Sequence, residues 1–246
     1  MKRLLYDIET CPCIAYIWNP GRKIYVPWDN VTRHSEIVCI CYQWSGEKKI
    51  HSLQWDYDAK DRDEKMVREF VDILISADES VAHFGDGFDL PWIRGRCLYY
   101  DIEFPPSLVT LDTCKMLSGI RVESKKLDAL GERLSLGRKK ETNFGLWKLV
   151  MAGDKAALRY MVRYCKGDVA VLAKLFWRLS KQRYGKVGPV GEAWTCRFPE
   201  CGSDDVGCSR SYRVICGRWH HAMRCRACGR YYTISHTAYQ KFRDVK

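Results

Sequence analysis

The residues best suited to chemistry are acids in three separate segments. Asp7-Ile8-Glu9 follows the apolar run Leu4-Leu5-Tyr6, which has the character of a strand. Side chains two apart on a strand share a face, so Asp7 and Glu9 stand side by side at its end. Two adjacent carboxylates repel unless a cation neutralises them, and a hard, oxygen-liking ion such as Mg²⁺ or Mn²⁺ is the natural partner. Asp89, in Phe88-Asp89-Leu90-Pro91, stands at the start of a predicted helix, where an acid can also serve simply as a cap. Tyr164 and Asp168 are four residues apart and share a helix face. Each of these features alone is ordinary surface or capping chemistry.

A second set of donors lies in the C-terminal quarter. Cys196 and Cys201-Gly202 form one pair, and Cys225 and Cys228-Gly229 form another. Two spaced cysteine pairs, each followed by glycine, resemble the knuckles of a zinc ribbon, in which four thiolates close a tetrahedral structural Zn²⁺ site. So short a segment buries little core, and a metal would supply its stability. Cys208, Cys216, His220 and His221 remain alternative ligands or a second site. Arg197, Arg210, Arg213, Arg218, Arg224, Arg226 and Arg230 are mixed with Tyr212, Trp219, Tyr231 and Tyr232, a combination suited to phosphate contacts and base stacking.

The elements that must position these groups can be read along the chain. Strands are expected over Lys2–Glu9, Ile37–Trp44, Lys49–Trp55 and Ser80–Phe84, with Ser45-Gly46-Glu47 turning a hairpin. A short strand or loop follows at Leu108–Leu111. Helical spacing covers Asp61–Ala77, with Asp61 and Glu64 as a capping pair, then Asp89–Tyr100, Lys125–Leu134 and Lys155–Gln182. The last is expected to bend near Gly167 or to be two helices. Cys11–Arg33 is a long irregular insertion, and such loops are often functional. Cys39 and Cys41 fall in an apolar run and are expected to be buried as small hydrophobes. The pattern is that of an α/β domain over residues 1–184, a glycine-rich linker over 185–192 and a small cysteine-rich domain over 193–246, itself short of helical periodicity.

Composition narrows the class. The chain has 246 residues with 46% hydrophobic content and a formal charge of +11. From Lys186 onward it carries 11 of the 41 basic residues but 5 of the 30 acidic ones. An anionic partner, nucleic acid, is expected. Thirteen cysteines, an odd number at irregular spacing, argue against a disulfide framework. No apolar run has membrane-spanning length, and Met1-Lys2-Arg3 is not followed by a secretory apolar stretch, so a cytoplasmic protein with no membrane partner is expected.

Taken together, Asp7-Ile8-Glu9, Phe88-Asp89-Leu90-Pro91 and Tyr164-x-x-x-Asp168 resemble, in order and spacing, the three motifs of the DEDD superfamily of ribonuclease H-like 3′–5′ exonucleases, in its tyrosine-bearing form. Leu111-Asp112-Thr113 and Lys126–Leu130 fit as supporting stretches, and the resemblance covers about three-quarters of the chain. It implies a mixed sheet flanked by helices and two divalent ions, Mg²⁺ or Mn²⁺, roughly 4 Å apart. It further implies that Asp7, Glu9 and Asp168 hold one ion, that Asp7 bridges to a second reached by Asp89, and that Tyr164 orients the attacking water. The implied reaction releases nucleoside 5′-monophosphates from a free, single-stranded or frayed 3′ end. Trp18, Tyr25, Trp28 and Trp92 are candidates to stack on bases, whereas Asp86, Asp112 and Asp128 are expected to be structural or solvated. One departure is Phe84, with His83 beside it, where the family usually carries Asn. Two other readings stay open: a nucleic-acid-binding protein on an inactive nuclease fold, and a ribonuclease H-like endonuclease.

Overall fold

The structure, a computed structural model, describes residues 2–105, 108–137, 142–182, 195–198, 201–213 and 219–245. It divides into two compact units, Met1–Leu179 and Ser180–Lys246. The linker expected over 185–192 lies outside the described residues.

The first unit is built on a five-stranded mixed sheet. Its strands are β1 (Arg3–Thr10), β4 (Ile37–Trp44), β5 (His51–Gln54), β6 (Glu79–Ala82) and β7 (Thr110–Asp112), in the order β5-β4-β1-β6-β7. A minor ribbon of β2 (Ile14–Ala15) and β3 (Val31–Arg33) closes the base of the Cys11–Arg33 insertion. β1 runs antiparallel to β4 and parallel to β6. Among the described residues its α-helices are α1 (Glu64–Ile75), α2 (Asp89–Tyr99), α3 (Thr113–Met116), α4 (Leu127–Arg133), α5 (Phe144–Met151) and α6 (Lys155–Ser180).

Alternation along β1 assigns its two faces. Leu5 joins a core with Val81, Leu111 and the C-terminal half of α6, including Val171, Leu172 and Leu175. Tyr6 points the other way and meets Phe70 of α1, ring centroids 5.2 Å apart. Asp7 and Glu9 therefore share the Leu5 face, which α6 covers. α6 is one continuous helix of 26 residues, not two. A Cβ at Gly167 would meet open space, so this glycine relieves no crowding within the helix.

The sequence-expected capping pair at Asp61 and Glu64 is not formed. The helix starts after Asp63, whose buried carboxylate instead accepts Ile37 N–H at 2.9 Å and the Arg96 guanidinium at 2.8 Å, tying α1 to β4 and α2. Asp61 contributes only a backbone turn through its carbonyl.

The second unit is a three-stranded antiparallel sheet of β8 (Val206–Arg213), β9 (Trp219–Cys225) and β10 (Tyr231–Ser235), in the order β10-β9-β8, followed by α7 (His236–Val245). The expectation that the tail lacks helix is thus corrected at its C-terminal end. Its small core includes Phe198, Val206, Met223, Tyr232 and Ile234. Among the described residues, no helix is long and apolar enough to cross a membrane.

Candidate active site

β1 and α6 bring the first three acids together. Asp7 and Glu9 project from the end of β1, Asp168 projects from the middle of α6, and a carboxylate oxygen of each lies within 4.8 Å of the others. Asp168 is 3% exposed, whereas Asp7 and Glu9 are half-buried, so the trio faces outward from a buried floor. Three carboxylates this close concentrate negative charge in a desolvated place, and hard oxygen donors in that number suit Mg²⁺ or Mn²⁺. Tyr164, one turn before Asp168 on α6, is buried as well.

Asp89 arrives by a different route. β6 pairs with β1 only as far as Leu5, leaving the rest of that edge of β1 open. The chain turns out of β6 through His83–Phe88 and begins α2 at Asp89, whose Oδ1 accepts the backbone N–H of Ile8 at 3.2 Å. Ile8 lies between Asp7 and Glu9, so this bond fixes the fourth acid against the acid-bearing end of β1. Burial pushes the Asp89 carboxyl up to about 7; the Ile8 and Asp89 amides oppose that rise, and the negative charge of Asp112 adds to it. The Tyr6 hydroxyl also feels this field. Burial raises its pKa well above the usual phenol range, reinforced by Asp89, Asp86, Asp7 and Asp112.

Asp112 has a local structural task. It caps α3 through the amides of Cys114 and Lys115, and it accepts Phe84 N–H at 3.0 Å and Asp86 N–H at 3.3 Å. That grip holds Phe84 at φ 62°, a left-handed conformation unusual for a residue with a side chain. The Phe84 ring occupies the space a side chain at position 87 would need, since a Cβ on Gly87 would come within 2.5 Å of it. Asp86 pairs with Lys115 at 2.6 Å, and Asp128 bonds the amide of Ala129.

An apolar groove leads away from β1. One hollow of about 470 Å³ is lined by Thr10, Cys11, Pro12, Ser35, Trp92, Phe144 and Trp147 among others. A second, of about 450 Å³, shares Ser35 and Trp92 and continues past Trp28 to Tyr99. Trp147 donates its indole N–H to the Thr10 carbonyl at 2.9 Å, pinning the wall of the groove one residue beyond Glu9. Trp18 and Tyr25, from the insertion, are 97% and 87% exposed.

A family model described as the RNase H superfamily matches residues 31–180. The chain belongs to the RNase H superfamily. No curated protein matches it. The matched span covers β3 through α6 and begins after β1, so Asp7 and Glu9 lie outside it and join the candidate site on geometry. Membership points to nuclease-type chemistry on nucleic acid, and nucleases of this fold typically use divalent metals. The trio of carboxylates fits that requirement by its donor type and spacing.

Two residues beside the candidate site carry no signal in the sequence. Cys165, next to Tyr164, places its Sγ 3.5 Å from Asp7 Oδ2, a contact that only the packing of α6 on β1 reveals. Trp147 lies on α5, an element the sequence reading did not mark.

In the second unit, Cys196, Cys201, Cys225 and Cys228 bring their sulfurs within 4.8 Å of one another. Gly202 and Gly229 take φ 54° and 73°, the left-handed turn that lets each knuckle fold back. The backbone N–H of Cys228 points to Cys225 Sγ at 3.5 Å. Burial would raise the Cys225 thiol, but that N–H and the neighbouring thiols hold it down to about 7. Four soft donors in this arrangement can bind zinc. Cys208 lies apart on β8, near Ser211, His220 stacks on Tyr212, and His221 contacts Ser211 and His236. Cys216 and Arg218 lie outside the described residues. Arg210, Arg224 and Arg230 lie over the rings of Tyr212, Tyr231 and Phe198.

Proposed function

We propose that this chain is a metal-dependent 3′–5′ exonuclease, with DNA the preferred substrate, whose C-terminal zinc ribbon helps to hold nucleic acid. The observation that carries the reading is the convergence of Asp7, Glu9 and Asp168 from β1 and α6 within 4.8 Å, in a chain of the RNase H superfamily. Asp89 beside Ile8 and Tyr164 one turn from Asp168 complete the tyrosine-bearing DEDD pattern.

In this reading Asp7, Glu9 and Asp168 hold one Mg²⁺ or Mn²⁺, and Asp7 and Asp89 hold a second. Such ions activate water and neutralise the charge that builds on the phosphate and the departing 3′ oxygen. The protein's own part is positioning. Asp89, anchored on the Ile8 amide, keeps its carboxylate at the acid-bearing end of β1. The Tyr164 hydroxyl, one turn from Asp168, orients the attacking water by hydrogen bonding. Trp92, Trp28 and the exposed aromatics of the insertion receive unpaired bases in the groove that starts at Thr10. Cys196, Cys201, Cys225 and Cys228 hold a structural Zn²⁺.

The test uses 5′-labelled single strands of DNA and RNA with free or blocked 3′ ends, and circular single strands, with Mg²⁺ or Mn²⁺. Stepwise shortening from free 3′ ends alone is expected, with DNA cut faster. Cleavage of circles would establish an endonuclease instead, and tight binding without cleavage would establish a binding protein on the nuclease fold.

A further inference from the structure

Beneath the acid trio lies a second trio, of thiols. Cys39 and Cys41 of β4 and Cys165 of α6 are each fully buried, and their sulfurs lie within 4.8 Å of one another. The two trios are built on the same framework. Across the β1–β4 ladder Asp7 faces Cys41 and Glu9 faces Cys39. Directly opposed residues of an antiparallel pair share a face, so both thiols stand beside the two acids under α6. Cys165 stands three residues before Asp168 and reaches Asp7 directly, its Sγ 3.4 Å from the Asp7 carbonyl and 3.5 Å from Oδ2. Cys41 Sγ lies 3.6 Å from the Val162 carbonyl.

A single buried cysteine packs as a small hydrophobe and needs no other explanation. Three sulfurs converging from two elements onto one point form a donor set. Thiolate sulfur is soft and polarisable and selects soft ions over the hard ions favoured by carboxylates. Full burial also keeps out hydrated Mg²⁺, which gives up water reluctantly.

We propose that Cys39, Cys41 and Cys165 form a binding site for a soft, thiophilic ion that takes three thiolates, distinct from both the acid trio and the four-cysteine cluster. Binding forms three metal–sulfur bonds and releases three thiol protons. It also replaces the Cys165 S–H facing Asp7 with a sulfur that can no longer donate, so Asp7 loses a hydrogen-bond donor. The effect of that loss on hydrolysis rests on the nuclease reading above; the binding itself does not.

Arsenite is the probe, because trivalent arsenic is thiophilic, is saturated by three thiolates and does not take carboxylates in water. As(OH)₃ and three S–H groups give three As–S bonds and three waters, with no change of oxidation state. The full-length, zinc-loaded, reduced chain is incubated with arsenite and desalted, and arsenic and zinc are then counted per chain. One arsenic bound with zinc retained is expected in the wild type, with at least a 10-fold weaker uptake in Cys39→Ala or Cys165→Ala. Either variant suffices if the other does not fold. No arsenic in the wild type, arsenic undiminished in Cys39→Ala, or arsenic taken up only as zinc is released would each overturn the site. A chain that binds one arsenic at these thiols but never cleaves nucleic acid upholds the site and strikes down the exonuclease reading instead.

Discussion

The Asp89 carboxylate accepts the backbone N–H of Ile8 at 3.2 Å, so the fourth acid is moored to the residue lying between the first two. The mooring places a carboxyl in a desolvated position, and burial pushes its pKa up to about 7. The native state therefore holds this proton more tightly than the unfolded chain, where the group titrates near 3.8. Stability contributed by the protonated form is present at low pH and is lost as pH rises from about 4 through 7. Without divalent ions, Asp89→Asn is expected to melt near the wild type at pH 4 but to be more stable at pH 8, by on the order of 2–4 kcal/mol. Melting curves at the two pH values check this; equal differences at both would remove the electrostatic explanation.

Phe84 is held at φ 62° by the Asp112 carboxylate on its amide. A side chain that tolerates the left-handed region should relieve this, since the conformation costs roughly 1–2 kcal/mol for ordinary L residues. Phe84→Asn is therefore expected to raise stability by about 1 kcal/mol, whereas Phe84→Val lowers it. Denaturant titration of the two variants tests the sign of each change.

The Asp63–Arg96 pair is a structural load on the same framework. Asp63 is 0% exposed and satisfies Ile37, Arg96 and Tyr100 at once. Asp63→Leu leaves the Arg96 charge buried without its counter-ion, at an expected cost of about 3–5 kcal/mol. Adding Arg96→Met should recover much of that loss. A double variant as unstable as Asp63→Leu alone would show that shape, not charge, governs the site.

The four-cysteine cluster yields a prediction on metal removal. A unit with so small a core should depend on its ion, so chelation of zinc, or Cys225→Ser, is expected to strip amide-exchange protection from β8, β9 and β10. Protection unchanged in the metal-free chain would mean that the thiols are not what holds this sheet.

Much of the acid site was legible in sequence because it depends on local periods. Alternation placed Asp7 and Glu9 on one face, the four-residue spacing joined Tyr164 to Asp168, and paired cysteines with glycines marked the cluster. Less legible were features made by packing. No local period marks Asp63, whose carboxylate is drawn inward by Arg96 and the Ile37 amide from other elements. Helix α5, Phe144–Met151, is short and mostly apolar, so it shows little amphipathic period. Helix α7 carries its apolar residues at helical spacing, Ala238, Tyr239, Phe242 and Val245, but over ten residues so short a period does not stand out beside the cysteine knuckles. Cys39 and Cys41 read correctly as buried, yet their meeting with Cys165 depends on how α6 crosses β4, which no spacing encodes.

The central claim is that the Asp7, Glu9 and Asp168 trio is the metal-binding centre of the reaction. It is tested most directly by measuring, on one preparation, Mn²⁺ bound per chain and the rate of release of nucleoside 5′-monophosphate from a single-stranded 3′ end. In Asp7→Asn and Asp168→Asn, both bound Mn²⁺ and rate are expected to fall, the rate by roughly 100-fold or more, as when a major electrostatic contributor to a transition state is removed. Turnover at the wild-type rate in either variant would contradict the account.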